Sequence, residues 1–157
     1  MFTIGDKVAY PLHGAGLIES IENKIILGEN RAYYIIRIQH GKMQVMVPVE
    51  GSDTVGLRHI CEKSDIDGVM EELAAESTPM DVNWNRRNRD NMEKLKTGDL
   101  KQVAAVIRNL ARVDAVKKLS TGEKKLLVSA KQILSSEIAM ILGIEEEAAI
   151  EMIEKAI

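Results

Sequence analysis

At 157 residues, 45% hydrophobic and 29% charged, the chain is long enough for one ordinary core or two small ones and too apolar to be disordered. No apolar run approaches the roughly 18 residues of a membrane span, and MFTIGDKV lacks the basic and apolar regions of a secretory signal, so a cytoplasmic protein without membrane contact is expected. The net charge of −3 conceals one basic segment: residues 1–60 balance, 61–80 carry −5, 81–125 carry +6 and 126–157 carry −4.

Short β-prone runs fill the first part of the chain: KVAY (7–10), GLIESIE (16–22), RAYYIIRI (31–38), KMQVMVPV (42–49) and VGLRHI (55–60). Turn signals separate them at LHGAG, LGEN, QHG and EGSD. Strands this short and this closely spaced predict a small curled barrel of the SH3 or Tudor kind. Its expected core is Val8, Leu17, Ile18, Ile21, Tyr34, Ile36, Ile38, Val45, Val47 and Leu57. A unit of that size sits near the lower limit of independent stability, so it should lean on the remainder of the chain.

From Ser64 the apolar period changes. Ser64 with Asp67 resembles a capping box, and Ile66, Val69, Met70 and Leu73 recur at helical spacing, predicting a helix over 64–76. Pro79 in STPMD (77–81) disfavours helix at the residue before it. A second helix is expected over 83–96, stopped at Gly98. Asp99 with Gln102 signals a third, running to 116 with Leu100, Val103, Ala104, Ile107, Leu110 and Ala111 as its stripe. Ser120-Thr121-Gly122-Glu123 is a capping box opening a fourth, whose apolar side runs from Leu126 to Ile141 and which Gly143 closes. EEEAAIEMIEKAI supplies a last short helix, with acidic residues in its first turn and Lys155 in its last to suit the helix dipole. The predicted class is α+β: an SH3/Tudor-like β-barrel over 1–62, then a bundle of about five α-helices over 63–157.

Several chemical signals have simpler explanations. HGAG (13–16) lacks the GxGxxG spacing and the Lys-Ser/Thr of a phosphate loop, so it reads as a hairpin turn. His13, His40 and His59 have no Cys or carboxylate at helical spacing, and the single Cys61 has no second Cys nearby, so no metal and no cofactor is expected. Ser120 has a capping role ready for it, and no HxE, GxSxG or SxxK pattern supplies a nucleophile with its base. Glu145 to Glu147 suit a helix N-terminus. A non-enzymatic protein without a small-molecule substrate is expected.

Trp84, the only tryptophan, stands in DVNWNRRNRDN at the start of the basic segment. At 100° per residue its helix face continues through Asn88, Asn91 and Leu95, where a core stripe would want apolar residues. Trp84 therefore either caps the helix end against a neighbour or stands exposed. Arg86, Arg87 and Arg89 surround it, and an apolar wedge flanked by cations is a way of opening a DNA minor groove. Lys117, Lys118, Lys124 and Lys125 flank the next capping box and would add phosphate contacts if both helices start on one side.

GDKVAYPLHGAGLIESIE and MVPVEGSDTVGLR resemble the polymerase-interacting module of the CarD/CdnL family of bacterial transcription regulators. That module is also similar to one in the transcription-repair coupling factor, a large translocase without any helix like NWNRR. The segments NWNRRNRDNMEKLKTGDLKQVAAVIRNLAR and KKLSTGEKKLLVSAKQILSSE resemble the CarD family's helical domain. The resemblance implies a monomeric factor that binds the β-subunit lobe of RNA polymerase and stabilises the open promoter complex. It implies that Trp84 wedges into promoter DNA at the upstream edge of the bubble, with Arg86, Arg87, Arg89, Lys124 and Lys125 along the flanking backbone. Lys24 and the strand around Met46, Val47 and Pro48 would meet polymerase. Met46 stands where some members carry Arg, and Asn88 where an aromatic is common. A free-standing architectural DNA-binding protein and a plain protein-interaction adaptor are the alternatives.

Overall fold

A computed structural model describes residues 1–157. Five strands form one antiparallel sheet: β1 (Lys7–Tyr10), β2 (Gly14–Ile26), β3 (Glu29–Ile38), β4 (Gln44–Pro48) and β5 (Arg58–His59), in the order β4-β3-β2-β1-β5. The long β2–β3 hairpin turns through Leu27 and Gly28 at φ of 53° and 78°, the pair of left-handed residues that a two-residue loop needs to match strand twist. One face packs Val8, Ile18, Tyr34, Ile36, Ile38, Val47 and Leu57 into a small core. Phe2 stacks edge-on against Tyr34 and donates its backbone N–H to the phenol oxygen at 3.0 Å.

Two predicted core residues lie elsewhere. Leu17 pairs with Arg37 on the outer face and is 38% exposed, because Ile18 beside it already takes the inward position. A bulge between Ile18 and Ser20 then shifts the register. Ile21 lands opposite Tyr34, toward the hairpin end where little packs over it, and is 42% exposed. Val45 is only half-buried.

Five helices follow: α1 (Asp65–Ala74), α2 (Trp84–Lys96), α3 (Leu100–Val116), α4 (Thr121–Leu142) and α5 (Glu146–Ala156). The class is α+β, a Tudor-like module followed by a helical bundle. Asn83, Asp99 and Ser120 cap their helices, accepting from Arg86, Lys101 and Glu123 backbone N–H groups. Ser64 makes no such bond: it already sits in helical backbone geometry, and Asp65 instead accepts from Glu62 N–H. Leu73, Val103, Ile107, Leu110, Leu134, Ile138 and Ile153 are fully buried in one core joining four of the helices, to which Leu95 of α2 adds the fifth.

The two modules are bonded to one another through α4. Arg58 of β5 donates from both terminal nitrogens to the Glu137 carboxylate at 2.8 and 3.0 Å, and to Gly98 C=O at 2.7 Å. Cys61 N–H reaches the same carboxylate at 2.8 Å. Burial and this carboxylate together push the Cys61 thiol up to about 11, which leaves it a poor nucleophile. Ala15 N–H donates to Ser136 Oγ at 3.0 Å. Gly14 permits that approach, since a Cβ there would lie 2.5 Å from the same oxygen. The β module leans on the bundle as its size requires.

Candidate nucleic-acid interface

Trp84 opens α2, immediately after its cap Asn83, and is 45% exposed. Its indole Nε1–H donates to Ser120 Oγ at 2.9 Å, and its ring lies along the first turn of α4 beside Gly122. The side chain therefore both meets a neighbour and keeps a free surface. The polar residues below it do not bring that helix face into solvent. Asn91 is 1% exposed, donating to Met80 Sδ at 3.7 Å, and Leu95 is 1% exposed. Asn88 is half-buried with its Oδ1 shielded and unpaired. A groove of about 320 Å³ adjoins it, with Met92, Gly122, Lys125 and Leu126 in its walls. Trp84 is exposed because it stands at the rim where this face emerges.

The contact between Trp84 and Ser120 sets the starts of α2 and α4 side by side, with predicted cations on both helices. Arg86, Arg89, Lys124 and Lys125 are all exposed and form no ion pair. Lys117 and Lys118 stand exposed just before the cap. Arg87 differs. Its guanidinium is 23% exposed and donates to Glu123 at 2.7 and 2.9 Å, so it braces α2 against α4 rather than reaching outward. The Glu123 carboxylate is 3% exposed. It accepts from the Ser120 hydroxyl at 3.2 Å instead of reaching back to the cap's backbone, as a capping box would have it.

Glu123 is held below the usual glutamate value of 4.5, first by the Arg87 hydrogen bond and also by the Arg87 charge and by Ser120. A depressed carboxylate contributes stability that is complete above its unfolded value and is lost as pH falls through the lower folded one. The brace should thus be intact at pH 5 and above and should fail only in stronger acid. Titrated emission from the single Trp84 is expected to stay constant down to about pH 4.5, then shift red. A shift centred near neutrality would place its cause elsewhere.

The β module carries the other predicted residues. Cross-strand pairing puts Lys24 opposite Arg31, Pro48 opposite Tyr33, and Met46 opposite Ile35, all on the outer sheet face. Lys24 lies 3.3 Å from Glu22 and Met46 is 45% exposed. Val47 points the other way, into the core at 1% exposed, and its main chain, in phase with the Met43–Ile38 and Val49–Ala32 bonds on either side of it, faces Tyr34 of β3. β4 pairs with β3 alone, and its outer edge is free.

The model of the CarD C-terminal domain matches residues 68–154, and that of the CarD-like/TRCF RID domain matches residues 2–61. The chain belongs to the CarD family. A relative in Bacillus subtilis (strain 168), "Putative transcription factor YdeB", is 37% identical over 147 residues, 94% of this chain and 96% of that protein. This CarD-like transcription factor carries Trp84 and its cations within the matched C-terminal domain, and Lys24 with β4 within the matched RID domain. Ser120 and Glu123 stand in the site for a reason no local pattern signals. Their partners in α2 lie 36 residues away, and their spacing already had a complete explanation as a helix cap.

Proposed function

We propose that this factor binds the β-subunit lobe of bacterial RNA polymerase through its β module and stabilises the open promoter complex. In this proposal Trp84 is a minor-groove wedge at the upstream edge of the bubble. The observation that supports it best is a single half-exposed tryptophan at the start of α2, followed on that helix by the unpaired Arg86 and Arg89. It touches the start of α4, whose N-terminal turns carry the unpaired Lys124 and Lys125. An inserted ring must unstack a base step, at a few kcal/mol in intact duplex and less where stacking is already broken, so the fork of a bubble is its favoured target. Four phosphate contacts correspond to a salt slope of about −3.6, which makes for weak binding by the helical domain alone. Attachment to polymerase raises the local concentration and offsets that weakness. The free edge of β4 suits strand addition, with Lys24 and Met46 on the adjoining face.

The deciding experiment is the lifetime of a competitor-challenged open complex with and without the protein. Prolongation is expected, and an unchanged lifetime would remove the proposal. For the polymerase contact, Lys24→Glu is expected to weaken binding to an isolated β lobe roughly fivefold, the size of a reversed charge at a partly exposed site. Equal binding by the two proteins would take Lys24 out of the interface.

A further inference from the structure

We infer that Ser120 is a positioning residue for Trp84, holding the indole N–H so that the ring meets DNA in one preset orientation and contacts it by stacking alone. This rests on the wedge reading of Trp84. A hydroxyl has one donor and two acceptor sites, and in Ser120 all three are engaged. It accepts from Trp84 Nε1 at 2.9 Å and from Glu123 N–H at 3.3 Å, and donates to Glu123 Oε1 at 3.2 Å. The rotor is thereby fixed. Glu123 is fixed in turn, because Arg87 Nη2 donates to Oε1 at 2.9 Å and Nε to Oε2 at 2.7 Å.

These bonds close a ring. Trp84 and Arg87 are three apart on the first turn of α2, and Ser120 and Glu123 are three apart at the start of α4. Each pair lies on one helix face, so two parallel arms bridge the helix starts. An indole carried on a lone helix terminus would sample several rotamers. Here the outer arm holds it at its nitrogen, while the inner arm keeps the helices at a fixed spacing. Order imposed before binding need not be imposed during it, so more of the stacking energy appears as affinity.

Engagement of the indole N–H also bears on specificity. The minor groove offers acceptors, adenine N3 and thymine O2, that a free indole could address. With its one donor held by Ser120, Trp84 has only its π-face and edge to offer. Selection among promoters then falls to how readily the base step unstacks.

Because Trp84 is the only tryptophan, its fluorescence reports this ring in the free protein, apart from any DNA effect. Ser120→Ala is expected to speed local depolarisation of that emission and to shorten open-complex lifetime about threefold to tenfold, the size of one net hydrogen bond. Ser120→Thr, which keeps the hydroxyl, should restore both. Asp99→Ala removes a cap of the same kind from α3 and should change neither, which separates positioning from helix capping. If Ser120→Ala fails to fold, Glu123→Gln weakens the same ring while leaving the cap, and the same two changes are expected of it. Unaltered depolarisation and lifetime in the variant that folds, with Trp84→Ala still shortening the lifetime, would overturn the role of Ser120 and leave the wedge standing. An unaltered lifetime in Trp84→Ala would bring down the wedge itself.

Discussion

Replacing Glu137 with alanine is expected to destabilise the protein by about 3 kcal/mol, the lower end of what breaking a buried ion pair removes. The carboxylate is 2% exposed and accepts from three donors: both terminal nitrogens of Arg58 and the backbone N–H of Cys61. Alanine leaves all three without that acceptor. Arg58 retains Gly98 C=O, His59 C=O and some access to water at 31% exposure, which places the effect low in the range. Glu137→Gln keeps one oxygen to accept and should be affected about half as much. The larger consequence is mechanical. The β module packs a core cluster of only seven buried hydrophobic residues and depends on α4 for further support. In urea unfolding, the wild-type modules are expected to melt together, and Glu137→Ala should lower the midpoint and bring the β module's transition forward. A change below about 1 kcal/mol would mean that packing around Ser136 and Gly14 joins the modules without the ion pair.

Such bonds mark the limit of what could be read from the sequence. Helix positions were legible because their signals are local: Asn83, Asp99 and Ser120 cap where they stand, and Gly98 and Gly143 follow the last turns of α2 and α4. Strands were legible for the same reason, except where parity broke. Leu17, Ile18 and Ile21 look alike as β-prone apolar residues, and only the bulge after Ile18 and the pairing with Arg37 decide which way each points. Ser64 and Ser120 share a capping spacing, yet one makes no cap bond and the other anchors a network through a helix distant in sequence. Arg86, Arg87 and Arg89 were equivalent by residue type and spacing. The depth of Glu123 separates Arg87 from the other two, and no neighbouring residue signals that depth. Polar Asn88 and Asn91 suggested a solvated face, whereas Met80 and the packing of α2 bury it and leave only its upper rim open.

Trp84→Ala is expected to shorten open-complex lifetime by about 1 to 3 kcal/mol of stacking, a factor of roughly 5 to 150, with little change in folding or in polymerase binding. Removing the indole takes away its hydrogen bond to Ser120 and its packing beside Gly122, at a half-exposed residue outside both core clusters. The expected stability loss is about 1 to 3 kcal/mol, one net hydrogen bond plus part of the burial of the indole. Lys24 and β4 belong to the other module and are untouched. Trp84→Phe sharpens the comparison, since it keeps an apolar plane and deletes the N–H. If stacking carries the function and Ser120 serves only to aim the ring, Phe should lie between Trp and Ala in lifetime. A variant lifetime equal to wild type for both Phe and Ala would mean that the cations alone hold the DNA. In that case charge reversal at Arg86 and Arg89, both free of ion pairs, should abolish the effect that the tryptophan does not provide.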